Sequence, residues 1–273
     1  MRSLTLSETN LGHGQVGNDR GVAMSPSGSA ATADPPVIEQ GGRPVRARIP
    51  SRIPLSLKLA YSAFMAVLVP VYLTHYGPTN FLYFCDIALI LTLVGIWAES
   101  ALLVSVCAVG LLAPQTLWVV DFVAEAAGVP LTGMTAYMFN RETSPFLRGL
   151  SLFHGWLPFL LVFLVWRLGY ERRAWSVWSA LAVVVLFVCF LLMPPPRPDP
   201  GLTPVNINYV WGMSDHAAQT MVPAWAWFTA LVIGLPLLVW WPTHRLLIRL
   251  VPGLPAPSSI TSPAASPAGS APR

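Results

Sequence analysis

Charge is what this sequence lacks most. Only 10% of its 273 residues are Asp, Glu, Lys or Arg, against about a quarter in a soluble domain, while 54% are hydrophobic. So few charges cannot cover a water-facing surface, which excludes a soluble globular domain. Lysine is almost missing: Lys58 is the single one, and the remaining basic residues are arginine, as expected of a GC-rich bacterial coding sequence. Cysteine is scarce as well. Cys85, Cys107 and Cys189 are odd in number and all lie in apolar runs, so no disulfide framework and no zinc-ligand spacing follows. Neither a cofactor nor a metal is expected.

What is present is a series of continuous apolar runs of some 20 residues between Leu55 and Trp241. At about 1.5 Å per residue, each reaches across a hydrocarbon core about 30 Å thick. Only helices or closed barrels satisfy their backbone there, and the runs do not alternate in polarity, so helices are predicted. The fold class is therefore all-α, a polytopic helical membrane bundle with about six transmembrane helices. We place them at 55–75, 80–97, 101–120, 148–167, 174–193 and 222–241, each bounded by charge, Pro or Gly. Trp97, Trp118, Trp166, Trp175, Trp240 and Trp241 fall near the ends, at headgroup level.

Outside the bundle, which takes in 53–250, the chain is polar. Residues 1–52, rich in Gly, Ser, Thr, Asn and Pro, read as a disordered basic arm, and 251–273 as a disordered Pro/Ala/Ser tail. The opening MRSLTLSETNLGHG lacks the apolar stretch of a signal peptide. Arg43, Arg46, Arg48, Arg52 and Lys58 are expected against anionic headgroups. With both termini cytoplasmic in a cell membrane, ten of the basic residues near the spans fall inside and three, Arg141, Arg148 and Arg197, outside, as the positive-inside rule requires. The net charge of +4 thus reflects membrane orientation, and nucleic acid is not an expected partner. Membrane lipids are expected as solvent and substrate; the sequence names no protein partner.

Polar residues within the spans carry the functional information, because each is costly in lipid without a partner. Asn80, Cys85 and Asp86 fall in the second span, Gln115 and Asp121 in the third, His154 in the fourth. Counting along each helix puts all of them in one shallow layer near the same membrane face, whichever way the bundle is oriented. Pro158 frees the His154 carbonyl and predicts a kink there. A thiol in apolar surroundings becomes a nucleophile once a base takes its proton, so Cys85 needs His154. Asp86, Asp121 or the Gln115 amide would orient the imidazole, and Asn208 and Tyr209, in the long connection 194–221, would donate to a developing oxyanion. The bland alternatives are packing for each cysteine and interhelical hydrogen bonding for His154. Asp121 reads as an end-of-helix headgroup contact, and His75, His216 and His244 as solvated.

The run NFLYFCDIALIL, GLLAPQTLWVVDF, FLRGLSLFHGWLPFLLV, RRAWSVWSAL and NINYVWG resembles the YwaF-like integral membrane family, which is similar to animal transmembrane protein 164. The resemblance covers about residues 55–241. It implies a lipid acyltransferase that moves a fatty acyl group between phospholipids through a thioester, with Cys85 as acyl acceptor and His154 as its base. Asp86 directly after the cysteine, and the loosely matching NINYVWG, depart from that pattern. Two alternatives stand beside it: a transporter or small-molecule receptor with a pocket formed by Asp86, Gln115 and His154, and a non-catalytic scaffold.

Overall fold

A computed structural model describes residues 52–129, 131–141 and 143–251, with the backbone of 37–40 and 43–46. The chain divides into two units, Met1–Ile49 and Pro50–Arg273. In the first, where we expect a disordered arm, the backbone forms two short antiparallel strands, β1 (Val37–Gln40) and β2 (Arg43–Arg46), with Val37 opposite Arg46 and Gln40 opposite Arg43. The rest of the arm, and the tail beyond 251, lie outside the described residues.

The regular structure among the described residues of the second unit is helical: α1 (Leu55–His75), α2 (Phe84–Ala98), α3 (Ala101–Ala126), α4 (Pro145–Ser151), α5 (Phe153–Leu168), α6 (Ala174–Leu192), α7 (Ala224–Gly234) and α8 (Trp241–Leu250). Among the described residues five segments, α1, α3, α4–α5 together, α6, and α7–α8 together, are long and apolar enough to cross a membrane, and α2 is a shorter apolar helix. The chain is a multi-pass helical membrane bundle. Helix α3 lies at its centre, packing against α2, α5, α6 and α8. The close approach of α3 to α6 depends on Gly110, over which the buried Trp178 ring lies.

The chain reverses alternately at two faces. One, the basic face, carries Arg52, Lys58, Arg167, Arg172, Arg173, Arg245 and Arg249; the other, the loop face, carries the connections 127–144 and 193–223. The headgroup role expected of Lys58 does not hold, because its side chain is buried and Nζ meets Glu99 Oε1 at 2.8 Å. Glu99 also accepts from the Arg52 and Ile53 amides at 2.9 and 3.4 Å, closing the start of α1. Of the tryptophans expected at headgroup level, Trp97, Trp166 and Trp241 are exposed, whereas Trp118 and Trp240 are buried in the bundle, Trp240 edge-on to Trp178 and Phe84.

Two departures from the expected helices matter for the site. The second span does not begin as α-helix at residue 80: Pro78–Leu82 is a 3₁₀ segment, Tyr83 is extended, and α2 starts at Phe84. At 15 residues α2 rises about 22 Å, about 8 Å short of a hydrocarbon core. That depth is taken up by the irregular segment 78–83, in which Asn80 is buried, Pro78 exposed and the rest partly buried; a bilayer tolerates such backbone where protein covers it. In the fourth span the irregularity precedes His154. The ladder tightens to i−3 spacing, Leu152 N donating to Gly149 O at 3.3 Å and Gly155 N to Leu152 O at 2.9 Å, which leaves the Ser151 carbonyl without its usual helical donor.

Candidate functional site

Cys85 and His154 occupy the second positions of α2 and α5, in the first turn at the loop face. They share no hydrogen bond. The Cys85 thiol donates to Asp86 Oδ2 at 3.9 Å, a loose sulfur contact, and the same oxygen accepts from Asn80 Nδ2 at 3.1 Å. Asp86 is buried, and its Oδ1 has no partner among the described residues. Of the three cysteines Cys85 alone is partly accessible; Cys107 and Cys189 are buried.

His154 is held by the carbonyl that the tightened ladder releases: its Nδ1 lies 2.8 Å from Ser151 O. A carbonyl only accepts, so Nδ1 carries the proton and Nε2 presents a lone pair. The ring stacks on Trp118 and Phe153, at centroid distances of 4.9 and 4.0 Å. Ser151 is itself tied to α1, its Oγ 3.0 Å from Tyr72 Oη.

The two loop-face connections cover this layer. Asp121, expected to be an end-of-helix headgroup contact, is instead fully buried. Its carboxylate accepts from Thr132 N (2.7 Å), Thr135 N (3.0 Å) and Thr135 Oγ1 (2.7 Å), folding 131–138 over the end of α3. Tyr137, carried on that fold, lies against Trp118 and Ser151 and within electrostatic reach of Cys85. In the second connection Asn206, Asn208 and Tyr209 all have positive φ, a region that asparagine tolerates better than most residues. The Asn206 amide donates to Gly212 O at 2.8 Å and Ser214 O at 3.1 Å, and its oxygen accepts from Trp211 N at 2.8 Å, which sets the loop.

Asn208 reaches the start of α2 and is fully engaged there: Oδ1 accepts from Phe84 N at 3.1 Å, Nδ2 donates to Leu82 O at 2.9 Å and contacts Cys189 Sγ at 3.6 Å. It therefore clamps the short helix and has no donor left for an oxyanion. Tyr209 keeps that capacity. Burial first, then the charges of Asp215, Cys85 and Asp121, push its hydroxyl up to about 12, so at neutral pH it remains an O–H donor. Gln115 is buried in α3, and its Oε1 has no partner among the described residues.

Tyr72, Ser151, Tyr137 and Asn206 join the site only through the fold, since none of them carries a helical-spacing signal in the sequence. His244, expected to be solvated, is buried on α8 and hydrogen-bonded through Nδ1 to Tyr170 Oη. Among the described residues no group of three or more His, Cys, Asp or Glu side chains is poised to hold a metal ion. Apolar grooves open elsewhere, one along α6 and one between α1 and α5 lined by Leu57, Ala60, Tyr61, Phe64, Trp156 and Leu160.

Fold and site together define a multi-pass membrane protein with a buried polar layer at one face. The chain matches no protein-family model, no curated protein and no solved structure.

Proposed function

We propose that this protein is a membrane lipid acyltransferase working at the loop face, with Cys85 as the acyl-accepting nucleophile. The observation that carries the reading is the partly accessible Cys85 thiol directed at the Asp86 carboxylate, where the other two cysteines are buried. Asp86 takes the thiol proton, sulfur attacks the ester carbonyl of a phospholipid, and Tyr209 donates to the oxyanion. The C–O bond to glycerol breaks, and the departing lysophospholipid takes the proton back from Asp86. A second lysophospholipid hydroxyl then attacks the thioester, its proton passing to His154 Nε2. The C–S bond breaks, and the Cys85 thiolate recovers the proton.

The resemblance to the YwaF-like family supports Cys85 as the acyl acceptor and His154 as a base; it implies that His154 serves the thiol, a role that Asp86 takes here because Cys85 contacts Asp86 and not His154. The distribution of arginine supports a cell-membrane orientation with both termini cytoplasmic and the loop face outward.

Purified protein reconstituted with labelled phospholipids tests the proposal. Cys85→Ala should abolish acyl transfer, and a hydroxylamine-sensitive acyl adduct should map to Cys85 in the wild type. Asp86→Asn and His154→Ala should each slow turnover by about 10²- to 10⁴-fold. Transfer unchanged in Cys85→Ala would end the reading.

A second reading, a binding pocket for a polar small molecule or a proton path, is favoured by the buried unpartnered oxygens Asp86 Oδ1 and Gln115 Oε1, since such atoms call for a donor. Uptake or binding lost in Asp86→Asn and Gln115→Leu but retained in Cys85→Ala would select it.

A further inference from the structure

The basic face holds a second cluster, distant in the fold from Cys85 and independent of the acyl-transfer reading. Its centre is the Tyr170–His244 hydrogen bond between the turn 169–173 and α8. The turn is fixed by Gly169, which has positive φ, and by Glu171 N donating to Ser105 Oγ at 3.0 Å. Around the His244 ring stand Tyr170, Trp175 and Trp241, with centroids at 5.7, 6.3 and 5.4 Å. Trp175 is held in place by its Nε1 donating to Pro236 O at 3.1 Å, within the π-helical segment Leu235–Trp240.

Charge at this corner is unbalanced. Glu171 is occupied by Arg173, Nε to Oε1 at 3.2 Å, and Glu99 by Lys58. Arg172 and Arg245 are exposed and have no carboxylate partner among the described residues. They come from different segments, yet both lie within electrostatic reach of the His244 ring. The Arg245 guanidinium is placed 5.7 Å over the Trp241 ring, and Arg249 follows one turn further along α8, also exposed. Two unneutralised guanidiniums converging beside a hydrogen-bonding imidazole form a receptor for a phosphate, because the planar fork matches its oxygens. The flanking tryptophans select the source. Indoles prefer the headgroup level of a bilayer, and the exposed Leu246 and Leu250 beside the arginines offer apolar surface suited to acyl chains.

We propose that the Tyr170–His244 corner, with Arg172 and Arg245 converging on it, is a binding site for the phosphate of an anionic phospholipid in the leaflet at the basic face. The lipid bridges the turn after α5 to α8 and so fastens the terminal helix to the bundle.

Full-length protein in mild detergent, offered equimolar phosphatidylglycerol and phosphatidylcholine and read by native mass spectrometry, tests this. The wild type should retain phosphatidylglycerol in preference. Arg172→Gln with Arg245→Gln should weaken that retention about five-fold for each arginine, whereas Arg141→Gln with Arg197→Gln, on the loop face, should leave it unchanged. Equal retention of the two lipids by the wild type, or undiminished phosphatidylglycerol retention in the Arg172/Arg245 variant, overturns the proposal. Displacement of the lipid by millimolar inorganic phosphate overturns the lipid assignment in favour of a soluble anion. Should the glutamine variant fail to fold, Arg172→Lys with Arg245→Lys, which keeps charge but loses the fork, decides: weaker retention supports the site and unchanged retention refutes it.

Discussion

Asn208 and Phe84, 124 residues apart, are joined by one hydrogen bond: the Asn208 side-chain oxygen takes the first amide of α2 at 3.1 Å, while its Nδ2 satisfies the Leu82 carbonyl at 2.9 Å. Those are the two backbone groups left open where the 3₁₀ segment hands over to the helix that carries Cys85. Leaving them unpaired in a buried layer costs about 1–3 kcal/mol each. Asn208→Ala should therefore destabilise the protein by about 2–5 kcal/mol, and speed hydrogen exchange at residues 82–86. Asn208 also has positive φ, so Asn208→Gly, which loses the same bonds without the steric cost, should be less damaging than Asn208→Ala by about 1 kcal/mol. Equal stability of wild type and Asn208→Ala in detergent melting would refute the clamp.

The span boundaries were legible for a physical reason: a lipid-facing helix needs an unbroken apolar run, and polar or breaking residues must end it. Thus α1 and α6 occupy 55–75 and 174–192 where hydropathy places spans at 55–75 and 174–193. The adjacency of Asn80, Cys85 and Asp86 was legible too, since it is local. The start of α2 was not, because apolar character does not distinguish 3₁₀ from α backbone, and what stabilises the break is Asn208 from a distant loop. The burial of Lys58 and His244 is hidden from the sequence for the same reason: their partners, Glu99 and Tyr170, lie 41 and 74 residues away. The thiol's contact with Asp86 and the release of the Ser151 carbonyl to His154 likewise depend on side-chain direction and a local change of helical ladder, which residue spacing does not encode.

Asp121 should act through the loop it folds. Three hydrogen bonds converge on a fully buried carboxylate, two from backbone amides and one from a hydroxyl. Bonds to a charged acceptor contribute about 1.5–3 kcal/mol each. Asp121→Ala should free residues 131–138, raising protease cleavage and hydrogen exchange there. Asp121→Asn should do nearly as much, because one oxygen becomes an amide facing donors. Exchange in 131–138 that matches the wild type in both variants would show that the loop folds without Asp121.

Lys58 and Glu99 offer a test of coupling at the opposite face. Their side chains are mostly buried, at 11% and 22% exposure, so screening by water is weak. Lys58→Met removes the cation but leaves Glu99 its two backbone donors, whereas Glu99→Gln weakens all three contacts together. Glu99→Gln should thus cost more, about 2–4 kcal/mol against about 1–3 kcal/mol for Lys58→Met. The double variant should cost less than the two single changes combined, by about 1–2 kcal/mol. Strict additivity in denaturant unfolding would mean that the pair does not interact energetically.

The packing of Gly110 against Trp178 gives a sharp test of the helix arrangement. A methyl group on Gly110 would stand 2.0 Å from Trp178 Cε2 and 2.4 Å from Cδ2 and Cζ2, inside van der Waals contact with a ring that is fully buried. The indole cannot move aside without displacing Phe84 and Trp240, which pack edge-on against it at 5.7 and 6.0 Å. Gly110→Ala must therefore push α6 away from α3, at a cost of about 3 kcal/mol or more. Shrinking the ring should relieve it: Trp178→Leu alone opens a cavity and destabilises by about 3–5 kcal/mol, yet adding Gly110→Ala to it should be neutral or stabilising. That reversal of sign, read as melting temperature of purified protein in detergent, requires Gly110 and Trp178 to be in contact. If Gly110→Ala is equally harmful in both backgrounds, α3 and α6 do not pack through this pair.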